Sequence, residues 1–167
     1  EFNQGTAIVY KKKGYGKINT YGNVITDIEY DNIGIGTKFT PFEKEGLWGL
    51  MSASNKLLIS VKYESLDLVD EKYVIARIGD TLGVLDVMGN NLIPFSFTGV
   101  EYLKDGAFIV SNGSLFGLYI ENKLAAPVQY EAISLFGDDF VHLIKDGNYV
   151  YYDLKRNKLI ETKQQGE

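Results

Sequence analysis

The stretch Leu82-Gly83-Val84-Leu85-Asp86-Val87-Met88-Gly89 places an apolar residue directly before a glycine and ends on a second glycine that suits a turn. The apolar–glycine pair recurs every 33 or 34 residues, as Tyr15-Gly16, Trp48-Gly49, Leu82-Gly83, Phe116-Gly117 and, with valine in place of glycine, Tyr149-Val150. A fixed period of this length is typical of solenoids, propellers and other arrays, in which no unit can bury its apolar face alone. The sequence therefore predicts a repeat protein.

Other positions keep the same period. A turn residue that tolerates positive φ follows each pair, at Gly22, Asn55, Gly89, Asn122 and Asn157. Eight residues after each of the first four comes an aromatic side chain, at Tyr30, Tyr63, Phe97 and Tyr130. Upstream of each pair, two mostly apolar residues stand two apart, at Ala7/Val9, Thr40/Phe42, Val74/Ala76, Phe108/Val110 and Val141/Leu143. Alternation with period two indicates half-buried strands.

A single unit shows how the chain is expected to fold. Residues 65–69, 73–78, 82–87 and 91–97 each read as a short strand, and polar or glycine-containing turns separate them. Four short antiparallel strands in succession form a meander, which is the shape of a propeller blade. We therefore predict an all-β fold of tandem blade-like units, either a closed five-unit propeller or an open superhelix. A β-solenoid with three strands per unit is the alternative.

The predicted organisation is one repeat domain over residues 1–167, with units at about 2–30, 31–63, 64–97, 98–130 and 131–163. We expect the residues before each glycine, Tyr15, Trp48, Leu82, Phe116 and Tyr149, to form one buried row between units. Trp48→Ala would then lower the free energy of unfolding by about 3 to 5 kcal/mol. Because glycine weakens a strand, its recurrence suggests that a large side chain from a neighbouring unit lies over the bare backbone.

Short polar side chains precede the turn in four units, at Asn19, Ser52, Asp86 and Asp153. Such side chains accept hydrogen bonds from the N–H groups of a turn, so we predict a capping role for them rather than catalysis.

Composition excludes several classes of function. The net charge of −5 and the lack of a basic stripe argue against a nucleic-acid partner. The absence of cysteine excludes disulfides, a thiolate zinc site and a cysteine nucleophile. No apolar run approaches 18 residues, so no membrane insertion is expected. Since the chain begins inside a repeat, we expect a trimmed signal peptide upstream and favour an extracytoplasmic location.

Two segments match a known repeat motif. Gly46-Leu47-Trp48-Gly49-Leu50, followed by Asn55 and then Tyr63-Glu64-Ser65-Leu66, resembles the bacterial WG-containing repeat family. That family's unit reads roughly Trp-Gly-x-Ile-Asp-x-x-Gly, a short aliphatic run, and Tyr-Asp/Glu-x-Ile. The resemblance covers nearly the whole chain in five units, although tryptophan occurs once and Val150 replaces one glycine. It implies tandem repeats and a binding role, and it carries over no catalytic residues.

Candidate catalytic groups do not form a recognisable set. The single histidine, His142, stands in a row with Ile8, Pro41, Ile75 and Ile109, which favours a strand residue facing away from Val141 and Leu143. Acidic residues are scattered, at Asp27, Glu29, Asp67, Asp70, Glu101, Asp138 and Asp139. We therefore predict no enzyme, no catalytic or metal-binding residues and no cofactor. Calcium at Gly137-Asp138-Asp139 is the main exception, because oxygen ligands are available there.

A non-catalytic binding module fits the sequence best. Repeat folds present wide, rigid surfaces, and tyrosine adds contact area at low entropic cost. Four tyrosines break the row pattern and are the predicted binding residues: Tyr21, Tyr102, Tyr151 and Tyr152. The expected partner is a protein or a glycan, with the chain a monomer or part of a longer repeat chain. A structural spacer or scaffold is the alternative, and a small propeller-type glycoside hydrolase a further one.

Overall fold

The structure is a computed structural model that describes residues 1–3, 5–12, 14–35 and 38–161. Within these ranges the secondary structure consists of strands and turns, with no helix. The chain forms two compact units, Glu1–Asp80 with Val84–Asn91, and Thr81–Gly83 with Leu92–Glu167. The all-β, propeller-like repeat class predicted from the sequence is confirmed.

In the described part of the chain, nineteen strands form five antiparallel sheets in chain order. Sheet 1 contains β1 (Thr6–Lys11), β2 (Gly14–Asn19) and β3 (Val24–Tyr30). Sheet 2 contains β4 (Asn32–Ile33), β5 (Phe39–Lys44), β6 (Leu47–Ser52) and β7 (Leu57–Tyr63). Sheet 3 contains β8 (Ser65–Val69), β9 (Tyr73–Ile78), β10 (Thr81–Asp86) and β11 (Asn91–Phe97). Sheet 4 contains β12 (Gly99–Lys104), β13 (Ala107–Asn112), β14 (Leu115–Ile120) and β15 (Lys123–Tyr130). Sheet 5 contains β16 (Ala132–Phe136), β17 (Phe140–Lys145), β18 (Asn148–Asp153) and β19 (Lys158–Glu161).

Every sheet is a meander, because strands that follow one another in the chain are also neighbours in the sheet. Among the described residues sheet 1 has three strands and the other four sheets have four. The solenoid alternative, with three strands per unit, is therefore wrong. A four-stranded meander of strands of two to eight residues keeps every connection short, which suits the many tight turns of the sequence.

The polar residues before the turns are caps, as predicted. Asp86 Oδ1 accepts hydrogen bonds from the backbone N–H groups of Met88 and Asn90, both at 2.9 Å, and Asn90 Nδ2 donates to Asp86 Oδ2 at 2.7 Å. Burial alone would raise the pKa of Asp86, but these hydrogen bonds outweigh it and hold the pKa below its ordinary value. Asn19, Ser52 and Asp153 accept equivalent bonds from the turn that follows each of them.

The predicted positive-φ residues are correct at four of five turns. Gly22, Asn55, Gly89 and Asn157 have φ of 81°, 61°, 87° and 51°. At the fourth turn the prediction is wrong, because Glu121 (φ 56°) and not Asn122 takes this conformation. There Ile120 pairs directly with Lys123, so only two residues form the hairpin turn. The residue with positive φ is therefore one position earlier in the chain than predicted.

The recurring glycine lies against the backbone of its own sheet. In sheets 2 and 4 the pairing of the third strand with the fourth shifts register at the glycine, and in sheet 1 the pairing of β2 with β3 does so. A β-carbon at Gly16 would stand 2.6 Å from the Asp27 carbonyl oxygen and 2.7 Å from that of Thr26. The expectation that a side chain from a neighbouring unit covers the glycine is therefore wrong. A β-bulge in the adjacent strand occupies that space instead.

Sheet 5 provides an internal comparison, because Val150 stands where the other sheets have glycine. Its strand pairs with β19 without a shift: Val150 lies opposite Glu161, Tyr151 opposite Ile160 and Tyr152 opposite Leu159. In the described parts of sheets 1, 2, 4 and 5, a register shift thus accompanies the glycine and is absent at Val150. The recurring glycine is therefore explained by the backbone register of its own sheet and not by a ligand.

The residues before the glycines do not form a buried row. Tyr15 and Tyr149 are exposed, and Trp48, Leu82 and Phe116 are only partly buried. Each of these residues lies at the start of its strand beside a hairpin turn, so it stands at the rim of the sheet. The fully buried side chains lie two residues further along, at Leu50, Val84 and Leu118. The sequence prediction therefore placed the core residues two positions too early in the strand.

Two sheets of the second unit pack face to face. In the second unit, Leu118 and Ala126 of sheet 4 form one core cluster with Val141, Leu143 and Tyr152 of sheet 5. We call the Leu118 side of a sheet its forward face and the Val141 side its rear face.

The first unit follows the same rule between its first two sheets. Ile8 and Tyr30 from the forward face of sheet 1 pack against a core cluster on the rear face of sheet 2: Ile33, Phe42 and Met51. In both of these pairs, the forward face of the earlier sheet packs against the rear face of the later sheet.

Candidate functional site

The forward face of sheet 5 carries a group of aromatic side chains that no described element covers. We call this group the aromatic face; it consists of Phe136, Phe140, His142, Tyr149 and Tyr151. Phe136 is 57% exposed and Tyr149 is 54% exposed. At the centre of the face Tyr151 is partly buried, whereas Leu50 and Leu118 at the same position of sheets 2 and 4 are completely buried. The centre of the forward face is therefore less covered in sheet 5 than in sheets 2 and 4.

The rings of the aromatic face contact one another. His142 is stacked between two tyrosines, with ring centroids 4.7 Å from Tyr149 and 5.1 Å from Tyr151 and interplanar angles of 18° and 21°. Phe136 meets the Tyr151 ring edge-on at 5.5 Å. These separations are those of favourable aromatic pairs, so the side chains support one another and form a rigid platform.

The centre of this face contains no charged residue. Cross-strand pairing places Ser134, His142, Tyr151 and Ile160 in one row across the sheet, and Ala132, Ile144 and Tyr149 in the next. Two charged residues, Asp153 and Lys158, stand opposite each other on neighbouring strands at one end of the face. Asp153 accepts a hydrogen bond from the Arg156 backbone N–H there. The platform is apolar and aromatic, with a polar edge.

His142 faces away from the buried Val141 and Leu143, which confirms its predicted orientation. Its Nε2 atom is buried between the tyrosine rings and has no hydrogen-bond partner among the described residues. Unpaired buried polar atoms are uncommon and call for an explanation. Here the histidine interrupts a row of isoleucines and a proline at the centre of an exposed face, which is unlike an ordinary core position.

The four predicted tyrosines have different environments. Tyr21 is exposed on the turn after β2, and Tyr151 belongs to the aromatic face. Tyr102 is partly buried against Phe108, with ring centroids 5.2 Å apart. Tyr102 and Tyr151 thus lie in different sheets, and Tyr21 lies in the other compact unit.

The expectation of exposure is wrong for Tyr152, which is 4% exposed. It lies on the rear face of sheet 5, one residue out of phase with Tyr151, and packs in the core cluster. Its hydroxyl donates to Asn157 Oδ1, and burial raises its pKa. Its ring also lines a cavity of about 400 Å³ with Asp105, Glu121 and Lys123 among the polar lining residues.

Sequence reasoning did not single out Phe136 and Tyr149 as surface residues, and it assigned His142 to a strand without a binding role. A signal for two of the platform residues is present in the rows. The fifth unit replaces an aliphatic residue with an aromatic ring twice, His142 after Ile109 and Tyr151 after Leu118. Both changes lie on the forward face, which in sheets 1 and 4 packs against the next sheet.

A second unusual feature is a buried lysine in the first unit. Lys17 is 6% exposed and its Nζ donates to Thr40 Oγ1 at 2.7 Å, its one hydrogen bond among the described residues. Burial lowers its pKa. The equivalent positions in sheets 2 to 4 are Leu50, Val84 and Leu118. Lys17 also borders a cavity of about 220 Å³ that Glu1, Asn3 and Thr6 line.

Replacing this polar pair with an apolar one is expected to stabilise the protein. In Lys17→Met/Thr40→Val, the apolar contact seen between the other sheets is restored, and we expect a gain of about 1 kcal/mol or more at neutral pH. Lys17→Met alone should gain less, because it leaves the buried Thr40 hydroxyl unpaired. Urea denaturation of the three proteins measures the difference.

The gain should depend on pH in a defined direction. The folded-state pKa of Lys17 lies below its ordinary value of 10.5, so the unfolded chain binds more protons between those two pH values. Wild-type stability from this group therefore rises with pH across that window, and the advantage of the double variant should shrink. An advantage that stays constant up to pH 10.5 would show that the charge of Lys17 is not the cause.

The described residues contain no group of three or more histidine or acidic side chains arranged to hold a metal ion. At the predicted calcium exception, Asp139 pairs with Lys155 at 2.7 Å and the Asp138 carbonyl accepts from Lys104 at 2.9 Å. Ammonium groups therefore stand where a cation would bind. Nor does any helix in the described part of the chain have the length and apolar character needed to cross a membrane.

Comparison with known proteins identifies a fold. No protein-family model matches the chain, and no curated protein matches it. A solved structure described as "Crystal structure of the eukaryotic initiation factor" is similar over 100% of this chain and 54% of its own, with a TM-score of 0.55 and 11% identity. Kluyveromyces lactis Hsv2p is similar over 96% of this chain and 61% of its own, with a TM-score of 0.45 and 16% identity. The C-terminal WD40 domain of Sif2 is similar over 93% and 53%, with a TM-score of 0.42 and 12% identity.

These similarities concern the fold alone, because the identities are low. The chain spans less than two thirds of the length of the solved structures that it resembles. Their activities and partners are not transferred to it.

Proposed function

We propose that this chain is a non-catalytic binding module of a bacterial WG-repeat protein, and that it recognises a protein partner through the aromatic face. The WG assignment is supported by the motifs around Trp48-Gly49 and Leu82-Gly83 and by their period. The binding role is supported by one observation: Tyr151 at the centre of the forward face of sheet 5 is only partly buried, whereas Leu50, Val84 and Leu118 at the same position of sheets 2 to 4 are completely buried. Phe136 and Tyr149 beside it are more than half exposed.

The chemistry of this face favours a protein over a glycan. The cores of protein–protein interfaces are enriched in aromatic residues and depleted of charge, and a few buried aromatic anchors supply most of the binding energy. The aromatic face has five rings and no charge at its centre. Few hydrogen-bonding groups are available for sugar hydroxyls, since Ser134 is the one exposed hydroxyl in the central row apart from the tyrosines. An apolar partner surface suits such a platform better than a polar sugar.

The rigidity of the site supports binding without turnover. Stacking holds His142 between two tyrosines, and its Nε2 atom has no hydrogen-bond partner among the described residues. A general base needs a second group to orient it and a reacting atom within hydrogen-bond reach. His142 is better suited to filling an aromatic platform.

A displayed random-peptide library and a glycan array test the proposal together. We expect peptides selected on the wild-type protein to lose affinity about tenfold or more for Tyr149→Ala and for Phe136→Ala. Both residues are more than half exposed, so the melting temperature should not change. Tyr10→Ala is the matched control, because Tyr10 is an equally exposed tyrosine on another sheet. Tyr21→Ala tests the other exposed tyrosine of the predicted set separately.

Other outcomes are distinguishable. Glycan binding that the same two substitutions abolish would replace the protein partner with a glycan. Peptides that bind all variants equally would place recognition elsewhere, and a library without binders would favour a spacer. Hydrolysis of a glycan by the purified protein, lost on one carboxylate substitution, would overturn the non-enzyme assignment.

A further inference from the structure

The contact between sheets 1 and 2 and the contact between sheets 4 and 5 share one feature. In each, the rear face of the later sheet supplies an apolar residue from its second strand and, two residues on, a lysine. In sheet 5 these are Leu143 and Lys145, and Lys145 Nζ donates to Gln129 of sheet 4 at 3.1 Å. In sheet 2 they are Phe42 and Lys44, and Lys44 pairs with Glu29 of sheet 1 at 3.1 Å.

The rear face of sheet 1 has the same features. Strand β1 of sheet 1 corresponds to the second strand of the other sheets. Its residues Val9 and Lys11 occupy the equivalent positions, and Ala7 lies two residues before Val9 on the same face. Ile18 pairs with Ala7 and Val24 pairs with Ile18, so these apolar side chains share the face. Val24 is 54% exposed, and Lys11 makes no ion pair with any residue in the described ranges. This face is therefore open at Val24 and Lys11, whereas Ala7 is buried.

The aromatic face is the complementary surface. It is the forward face of sheet 5, and in the sheet 4–sheet 5 contact a forward face is what a rear face covers. Its centre is apolar and uncharged, as is the row formed by Ala7, Ile18 and Val24. The forward face of sheet 5 and the rear face of sheet 1 therefore resemble the two surfaces that meet between sheets 4 and 5.

On this basis, which rests on the proposed function, we infer that the aromatic face binds the rear face of sheet 1 of a second copy of the chain. The contact is heterologous, because different surfaces of the two copies meet. Such contacts produce rings when the rotation closes and open chains when it does not. The protein is accordingly expected to assemble head to tail, with oligomer size rising with concentration.

Two single-face variants test this directly. Phe136→Glu places a charge on the aromatic face and leaves the rear face of sheet 1 intact, whereas Val24→Glu does the opposite. Desolvating an unpaired charge at an interface is costly, so each variant alone should associate at least about tenfold more weakly than the wild type. Mixed together, the two variants should form a one-to-one dimer and nothing larger, because only one pair of good faces remains. Sedimentation velocity measures all three samples.

Controls keep the result interpretable. Tyr10→Glu introduces the same charge on an exposed aromatic residue that belongs to neither face, and it should associate like the wild type. Tyr149→Glu replaces Phe136→Glu should the latter prove unfolded by circular dichroism. A mixture that stays monomeric, or a wild type that is monomeric at every concentration, would overturn the second-copy contact. If peptides dependent on Tyr149 still bind such a monomer, the proposed function stands and only this inference fails.

Discussion

Alanine at position 16 is expected to lower the free energy of unfolding by about 3 kcal/mol, at the upper end of the range for overpacking a folded protein. Its β-carbon would lie 2.6 to 2.8 Å from three backbone atoms, two carbonyl oxygens and the Ile28 α-carbon. Backbone atoms held in a sheet cannot rotate away as a side chain can. The added methyl group must therefore undo the bulge or part β2 from β3. Urea denaturation followed by circular dichroism measures the loss.

Gly99→Ala is the comparison for this prediction. A β-carbon there would meet the Oγ atom of the Ser111 side chain but no backbone atom within 4 Å. Rotation of one hydroxyl relieves that contact, so we expect a much smaller loss. Equal losses at the two positions would mean that the glycine row is explained by strand propensity and not by the bulge.

Truncation of Leu50 is expected to have an even larger effect, about 3 to 5 kcal/mol for Leu50→Ala. The side chain is completely buried at the centre of the forward face of sheet 2. Removing the γ-methine and the two δ-methyl carbons forfeits their transfer free energy and leaves a cavity between packed sheets, which relax little. Chemical denaturation gives the value directly.

Leu57→Ala is its matched control, because it is the same substitution on the same sheet at a side chain that is 56% exposed. We expect a change within about 0.5 kcal/mol there. Trp48→Ala should fall between the two, since Trp48 is partly buried at the sheet rim and not in the core. A Trp48→Ala loss greater than that of Leu50→Ala would restore the buried row predicted from the sequence.

The two substitutions on sheet 2 show how far a sequence row can be interpreted. Trp48 and Leu50 both recur with the repeat period and both are apolar, so the pattern alone ranks them equally. Their side chains also share one face, because they are two residues apart in a strand. What separates them is distance from the hairpin turn, and hence coverage by a neighbouring sheet. Burial of that kind is set by contacts between residues far apart in the chain.

The candidate site shows the same division. Tyr151 was predicted as a binding residue and lies on the aromatic face, whereas Tyr152 was predicted beside it and is buried. Adjacent residues in a strand point to opposite sides, so one of the two had to face the core. The sequence showed that both depart from their rows, but it did not show which side of sheet 5 would be covered.

By itself the sequence determined the repeat period, the all-β class, the four-stranded meander and the caps at Asn19, Ser52, Asp86 and Asp153. All of these depend on interactions within a few residues: alternation along a strand and hydrogen bonds across a tight turn. Only the tertiary structure decided why the glycines recur, which rows form the core and which face of sheet 5 is open. Those features depend on register between strands and on packing between sheets, and neither is written in any one segment of the chain.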